Sequence, residues 1–153
     1  MKKTIMMYSV CVVVAAMTCT VQGQTNFVKQ VADLWFTGHK TNVLAIANQR
    51  LQQNTNDIAG LLLKMDYETE FLLFDQMSNT IDRVVQVGAT ITTPKFAALY
   101  PLVMEEANYW KKVASTYHPP EQLAADRAKG NIAEKPLSVE FILESLQEDG
   151  YFQ

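Results

Sequence analysis

Beyond about residue 27, apolar residues recur at helical spacing along nearly the whole chain, and no stretch alternates like a strand. A helix repeats every 3.6 residues and gathers such positions on one face, whereas a half-buried strand needs a period of two. Val28, Val31, Leu34 and Trp35 form the face of a first helix ending near Gly38, and Leu44, Ala47 and Leu51 mark a second from about Thr41 or Asn42 to Gln53. Asn54-Thr55-Asn56-Asp57 is a cluster of turn formers in which Asp57 or Asn56 can cap the next helix. Ile58, Leu61, Leu62 and Met65 define a third helix; Phe74, Met77, Ile81, Val84 and Val85 define a fourth, with Gly88 closing it just past its end. Tyr67 to Phe74 contains no breaker, so the join is either a tight turn or a pair of long helices.

The second half follows the same rule with more punctuation. Ala89 to Thr93 is a loop, and Pro94 suits the first turn of a helix. Pro101 predicts a kink or a fresh start after one or two turns over Lys95 to Tyr100. Val103, Ala107, Trp110 and Val113 continue the seam to about Tyr117, where Pro119-Pro120 stops it. Glu121 to Lys129 reads as a short polar helix or turn, and Gly130 to Pro136 as a surface connection. Ser138 can cap a last helix with the face Val139, Ile142, Leu143 and Leu146, ending at Gly150. The expected fold class is all-α, as antiparallel helical hairpins or an irregular bundle.

The N-terminus has the makings of an export signal. Lys2 and Lys3 precede an uncharged apolar run from Ile5 to Met17, shorter than the ~20 residues of a membrane span. Val21 and Gly23 fit the −3 and −1 positions of a cleavage site, so residues 1–23 read as a secretory signal and 24–153 as one exported domain, periplasmic or secreted. An uncleaved anchor and a lipid-modified Cys19 are the competing readings; Ala16-Met17-Thr18 is a poor lipoprotein box. Cys11 and Cys19 both precede the cut, which leaves the mature part without thiols.

Charge narrows the partners. Removing Lys2 and Lys3 from the 13 basic residues leaves 11 against 16 acidic ones, a net charge of −5. Nucleic acids and anionic membranes are bound through lysine and arginine, and no basic stripe occurs here. No membrane span is expected in the mature chain.

Residues 38 to 57 place Gly38 at an inter-helix turn, Val43 and Ala47 at small or medium sites, Leu51 at a leucine site and Asn54 to Asp57 at a break. Ala59, Leu63 and Tyr67 follow at the spacing of a next first helix. This pattern resembles the tetratricopeptide repeat over about residues 27–87. The resemblance implies close-packed helical hairpins that present a groove to a protein or peptide, with residues 94–149 as closing helices. The chain departs from the family in having Thr55 where proline is usual, and any up-down helical bundle has similar faces.

Reactive groups are sparse. His39 follows the Gly38 turn and His118 precedes Pro119; apart from Glu121, neither has a metal-ligating neighbour at helical spacing. Glu105-Glu106 lacks the Glu-x-x-His pairs of a di-metal bundle, and Asp66, Glu68 and Glu70 read as alternating, solvated surface. No phosphate loop, nucleophile elbow or zinc-protease motif occurs. Hence no catalytic residue, metal ligand or cofactor is expected, and the chain is read as a non-enzyme. Aromatics are the better lead. Trp35, Phe74 and Trp110 lie on apolar seams, while Phe71-Leu72-Leu73-Phe74 is apolar all round and needs either enclosure or a partner. Tyr67, Phe71, Phe74, Tyr100 and Tyr109 are the candidate groove residues. The expectation is an exported interaction module with a protein or peptide partner; a carrier of small lipophiles and, more weakly, an envelope enzyme are the alternatives.

Overall fold

A computed structural model describes residues 27–116, 120–130 and 138–152. The expected signal at 1–23, Cys19, Tyr117, His118, Pro119 and the connection over 131–136 lie outside the described residues. Within them the chain is all-helical, as expected: α1 (Phe27–Phe36), α2 (Lys40–Gln53), α3 (Ile58–Glu70), α4 (Phe74–Gly88), α5 (Pro94–Thr116), α6 (Pro120–Ala128) and α7 (Val139–Glu148).

Short turns reverse the chain between successive helices, so α1 to α5 pack each against the next. The last helix, α7, returns to lie against α1, α3 and α5. Side chains from all seven helices meet in one buried cluster. At its centre, α3 is enclosed on almost every side: Ile58, Leu61, Leu62, Leu63 and Met65 are all buried. Gly60 lets α2 come close, because a β-carbon there would lie 3.1 Å from the Ala47 carbonyl oxygen and from Leu51 Cγ.

Capping chemistry sets the helix ends. Asp57 accepts from the Gly60 amide at 2.6 Å to start α3, and Ser138 Oγ accepts from the Phe141 amide at 3.3 Å to start α7. Asp149 accepts from the Phe96 amide at 2.9 Å and thereby caps α5 from the far end of α7. After α1 and α7, glycines with positive φ (Gly38 and Gly150) close the helix with paired backbone hydrogen bonds. After α3 the same closure uses Leu72 at φ 56°, with the Leu73 amide donating to the Glu68 carbonyl at 2.8 Å. Residues 71–73 are therefore a turn, and the apolar run at Phe71 to Phe74 is not continuous helix.

The tail folds back. The Tyr151 hydroxyl accepts from the Ile58 amide at 3.1 Å, and Phe152 is buried against Phe27 with ring centroids 4.9 Å apart. Arg50 binds both carboxylate oxygens of Asp57, at 2.9 and 2.7 Å, while its guanidinium lies over the Phe27 and Phe152 rings. One side chain thus joins α2, the start of α3, the start of α1 and the C-terminal turn.

Four local expectations need correction. The buried positions of α2 are Val43 and Ala47, with Leu44 only half-buried, since the helix must face α1 and α3 together. Gly88 is the last residue of α4 and has no positive φ; its role is space, because a β-carbon would lie 2.7 Å from the Tyr100 ring. No fresh start occurs at Pro101: helix α5 runs through it, held on either side by buried Phe96 and Val103. Glu68 and Glu106 are buried, not solvated: Glu68 belongs to the enclosed α3, and Glu106 shares the face of Val103, Ala107 and Trp110. Burial pushes the Glu68 carboxyl above its usual range, against opposing pulls from Thr80 and from Lys64, whose Nζ is 3.8 Å away.

Candidate functional site

An apolar cleft opens between α1, the C-terminal half of α3 and the first turn of α7, with a volume of about 240 Å³. Its floor is apolar: Val28, Val31 and Ala32 from α1, Leu63 from α3 and Val139 from α7. Trp35 and Phe36 form a wall, and Asp66, Glu70 and Glu140 line the polar side. The helical period explains the composition. Val28, Val31 and Trp35 are one α1 stripe; Leu63, Asp66 and Glu70 are one α3 stripe that turns from apolar to acidic as it leaves the core. Asp66 and Glu70, four residues apart, therefore do share a face, contrary to the alternating expectation, and Glu68 alone turns inward.

Phe36 is 77% exposed, the most exposed of the large apolar side chains among the described residues. It also lines a second, more polar depression with Lys29, Asp33, Glu140 and Glu144, so two recesses meet at Phe36 and Glu140. Beside the wall, Lys40 makes an ion pair with Glu70 at 2.6 Å and lies 4.9 Å from the Trp35 ring centroid and 6.0 Å from that of Phe71. These cation–π contacts tie the α1–α2 turn to the end of α3 and hold Trp35 in place.

Of the five candidate groove residues, the structure gathers two at this end of the molecule. Tyr67 and the exposed Phe71 pack with centroids 4.6 Å apart, next to Lys40. Phe74 is buried in the core. Tyr100 lies against Gly88 and donates to the Val85 carbonyl at 2.8 Å, so its ring closes the end of α4. Tyr109 meets Trp110 edge-on at 5.4 Å on α5. Neither ring belongs to the cleft. Trp35, expected in the core, and Phe36, Lys40 and Glu140, which were not singled out, shape it. The readable signals were Phe36 falling one position off the α1 seam and the i, i+3, i+7 spacing of Leu63, Asp66 and Glu70.

Among the described residues, five carboxylates (Asp33, Asp66, Glu70, Glu140, Glu144) line the two recesses, with Lys29 beside them, Lys40 at their edge and Arg127 donating to the Glu70 carbonyl at 3.4 Å. Lys29 is paired with Asp33 at 2.6 Å and Lys40 with Glu70. His39 is exposed at the start of α2 and makes no capping hydrogen bond from its side chain. Among the described residues no group of three or more His, Cys, Asp or Glu could hold a metal ion, and no helix is long and apolar enough to cross a membrane. Comparison with protein families, curated proteins and solved structures finds no match to this chain. The cleft can therefore be read only from its own chemistry: an apolar seat, two aromatic walls and an acidic border.

Proposed function

We propose that this chain is an exported, non-catalytic helical interaction module that holds a segment of a protein or peptide in the cleft between α1, α3 and α7. The observation that carries the reading is the open apolar floor beside Phe36, whose ring is left 77% exposed at the edge of that floor. An exposed aromatic next to an apolar recess is the arrangement in which a partner's side chain gains most from burial. The repeat-like character of residues 27–87 belongs to the same proposal, supported by buried Val43, Ala47 and Ala59 and by the close approach at Gly60. A lipophile carrier is the second reading, favoured by the same floor.

A plug and a crosslinker test this together. Ala32→Trp fills the floor, and a photo-reactive phenylalanine at position 36 labels whatever sits there. The expected result is a crosslink to a defined peptide segment of a partner, lost when Ala32→Trp is added. Crosslinks unchanged by the plug, or a lipid recovered on organic extraction in their place, would overturn the reading.

A further inference from the structure

We propose that α1 is a lid latched by the C-terminal turn. Residues 149–152 hold the N-terminal end of α1 down, and when that contact breaks α1 swings out as a unit while α2 to α5 stay folded. The proposal goes beyond the docking reading and stands whether or not a peptide enters the cleft.

The way α1 is fastened carries the argument. Its 10 residues are fewer than the ~12–15 at which a lone helix becomes even marginal, so tertiary contacts decide whether it forms. It buries only Val28 and Val31, whereas α3 is enclosed along its length. Its C-terminal end is fastened locally, by the His39 amide donating to the Leu34 carbonyl at 2.8 Å and by Lys40 lying 4.9 Å from the Trp35 ring centroid. Its N-terminal end is fastened from the other end of the chain. Phe152 is buried against Phe27, and the Arg50 guanidinium lies 4.9 Å from the Phe27 centroid and 5.2 Å from that of Phe152.

The two sides of this latch differ in kind. Toward the scaffold it is bolted by directional bonds. Asp149 accepts from the Lys95 and Phe96 amides of α5 at 3.2 and 2.9 Å, Glu148 pairs with Lys95, and the Tyr151 hydroxyl accepts from the Ile58 amide of α3. Toward α1 the turn offers ring contact. Pulling the turn off the scaffold would strand those amides, and an unsatisfied buried donor is costly. Parting Phe27 from Phe152 leaves no hydrogen-bonding group of either ring unmet, so the break falls there. The cleft moves with it, because Val28, Val31, Ala32 and Trp35 are its α1 side.

Hydrogen exchange across low urea, read by mass spectrometry on the protein as it accumulates in cells, tests the lid. The α1 amides are expected to open at a lower free energy than those of α3, with a urea slope well below that of global unfolding. Phe152→Ala should speed α1 exchange about tenfold or more and leave α3 the better protected helix. Ile81→Val, in the buried face of α4, is the control: it should speed exchange in α3 and α4 roughly fivefold and leave α1 rates as they were, since the α1-open state keeps Ile81 packed. The proposal is overturned if α1 and α3 open together with one urea slope, if α1 ignores Phe152→Ala, or if α1 follows Ile81→Val. Should Phe152→Ala not fold, the urea slopes of the unaltered protein and the Ile81→Val control decide the matter between them.

Discussion

Replacing Asp57 with alanine removes three contacts at once, and their sizes can be worked separately. The carboxylate caps α3 through the Gly60 amide at 2.6 Å, and loss of such a cap costs about 1 kcal/mol. It also accepts two hydrogen bonds from Arg50, at 2.9 and 2.7 Å, and hydrogen bonds to a charged partner contribute about 1.5–3 kcal/mol. Both side chains are largely shielded, 26% exposed for Arg50 and 10% for Asp57, so removal leaves a guanidinium poorly solvated. The expected loss is about 3 kcal/mol, a drop of roughly 10 °C in Tm for a domain of this size. Asp57→Asn keeps the cap and should lose about half as much. Arg50→Met keeps the alkyl stem over Phe27 and Phe152 and should also lose less. Urea melts of the two single variants Asp57→Ala and Arg50→Met and of the double variant give the coupling directly, expected at about 1–2 kcal/mol. A loss under about 1 kcal/mol for Asp57→Ala, or strict additivity in the double variant, would refute the idea that this ion pair joins the helices.

Trp110→Ala empties a side chain that is only 1% exposed and has the Arg127 guanidinium over its ring, and should cost about 3–5 kcal/mol in a denaturant melt. A cost under about 1 kcal/mol would place Trp110 outside the core. Gly88→Ala drives a carbon to 2.7 Å from the Tyr100 ring and should destabilise by roughly 1–3 kcal/mol, with a smaller penalty in a Tyr100→Leu background. Glu68 carries a pKa raised by burial, so its contribution favours the fold below the ordinary carboxylate range and is lost as pH rises through the raised value. Glu68→Gln should therefore stabilise the protein at neutral pH, with an advantage that shrinks in acid; an advantage independent of pH would show that the carboxyl has the same pKa folded and unfolded, contrary to a shift by burial.

Most helix boundaries were legible because they are written in local chemistry. Asp57 and Ser138 are caps whose side chains act within three residues, and Gly38 and Gly150 close helices by backbone geometry alone. Where tertiary packing decides, the same reading failed. Leu72 adopts a conformation that favours glycine, a cost of about 1 kcal/mol that its packing against the core offsets, so no turn signal appears at the α3–α4 junction. Pro101 sits inside a helix whose two halves are both anchored. Gly88 looked like a terminator because nothing in the chain's order reveals that Tyr100 lies on it.

The candidate site was harder still. Aromatic residues were visible as a class, but only the path of α7 decides that Val139 and Glu140 complete a recess begun by α1 and α3. Tyr100 and Tyr109 satisfy neighbours within the fold, and their amphipathic rings look no different in sequence from rings that await a partner.

Methyl NMR of protein labelled at valine and leucine, titrated with the peptide segment that the position-36 crosslinker captures, reports where a segment docks. Shifts concentrated at Val28, Val31, Leu63 and Val139, with Val43 and Leu143 unmoved, are the predicted result. Shifts centred on α4 and α5, or none at saturating peptide, would contradict a docking cleft at α1, α3 and α7.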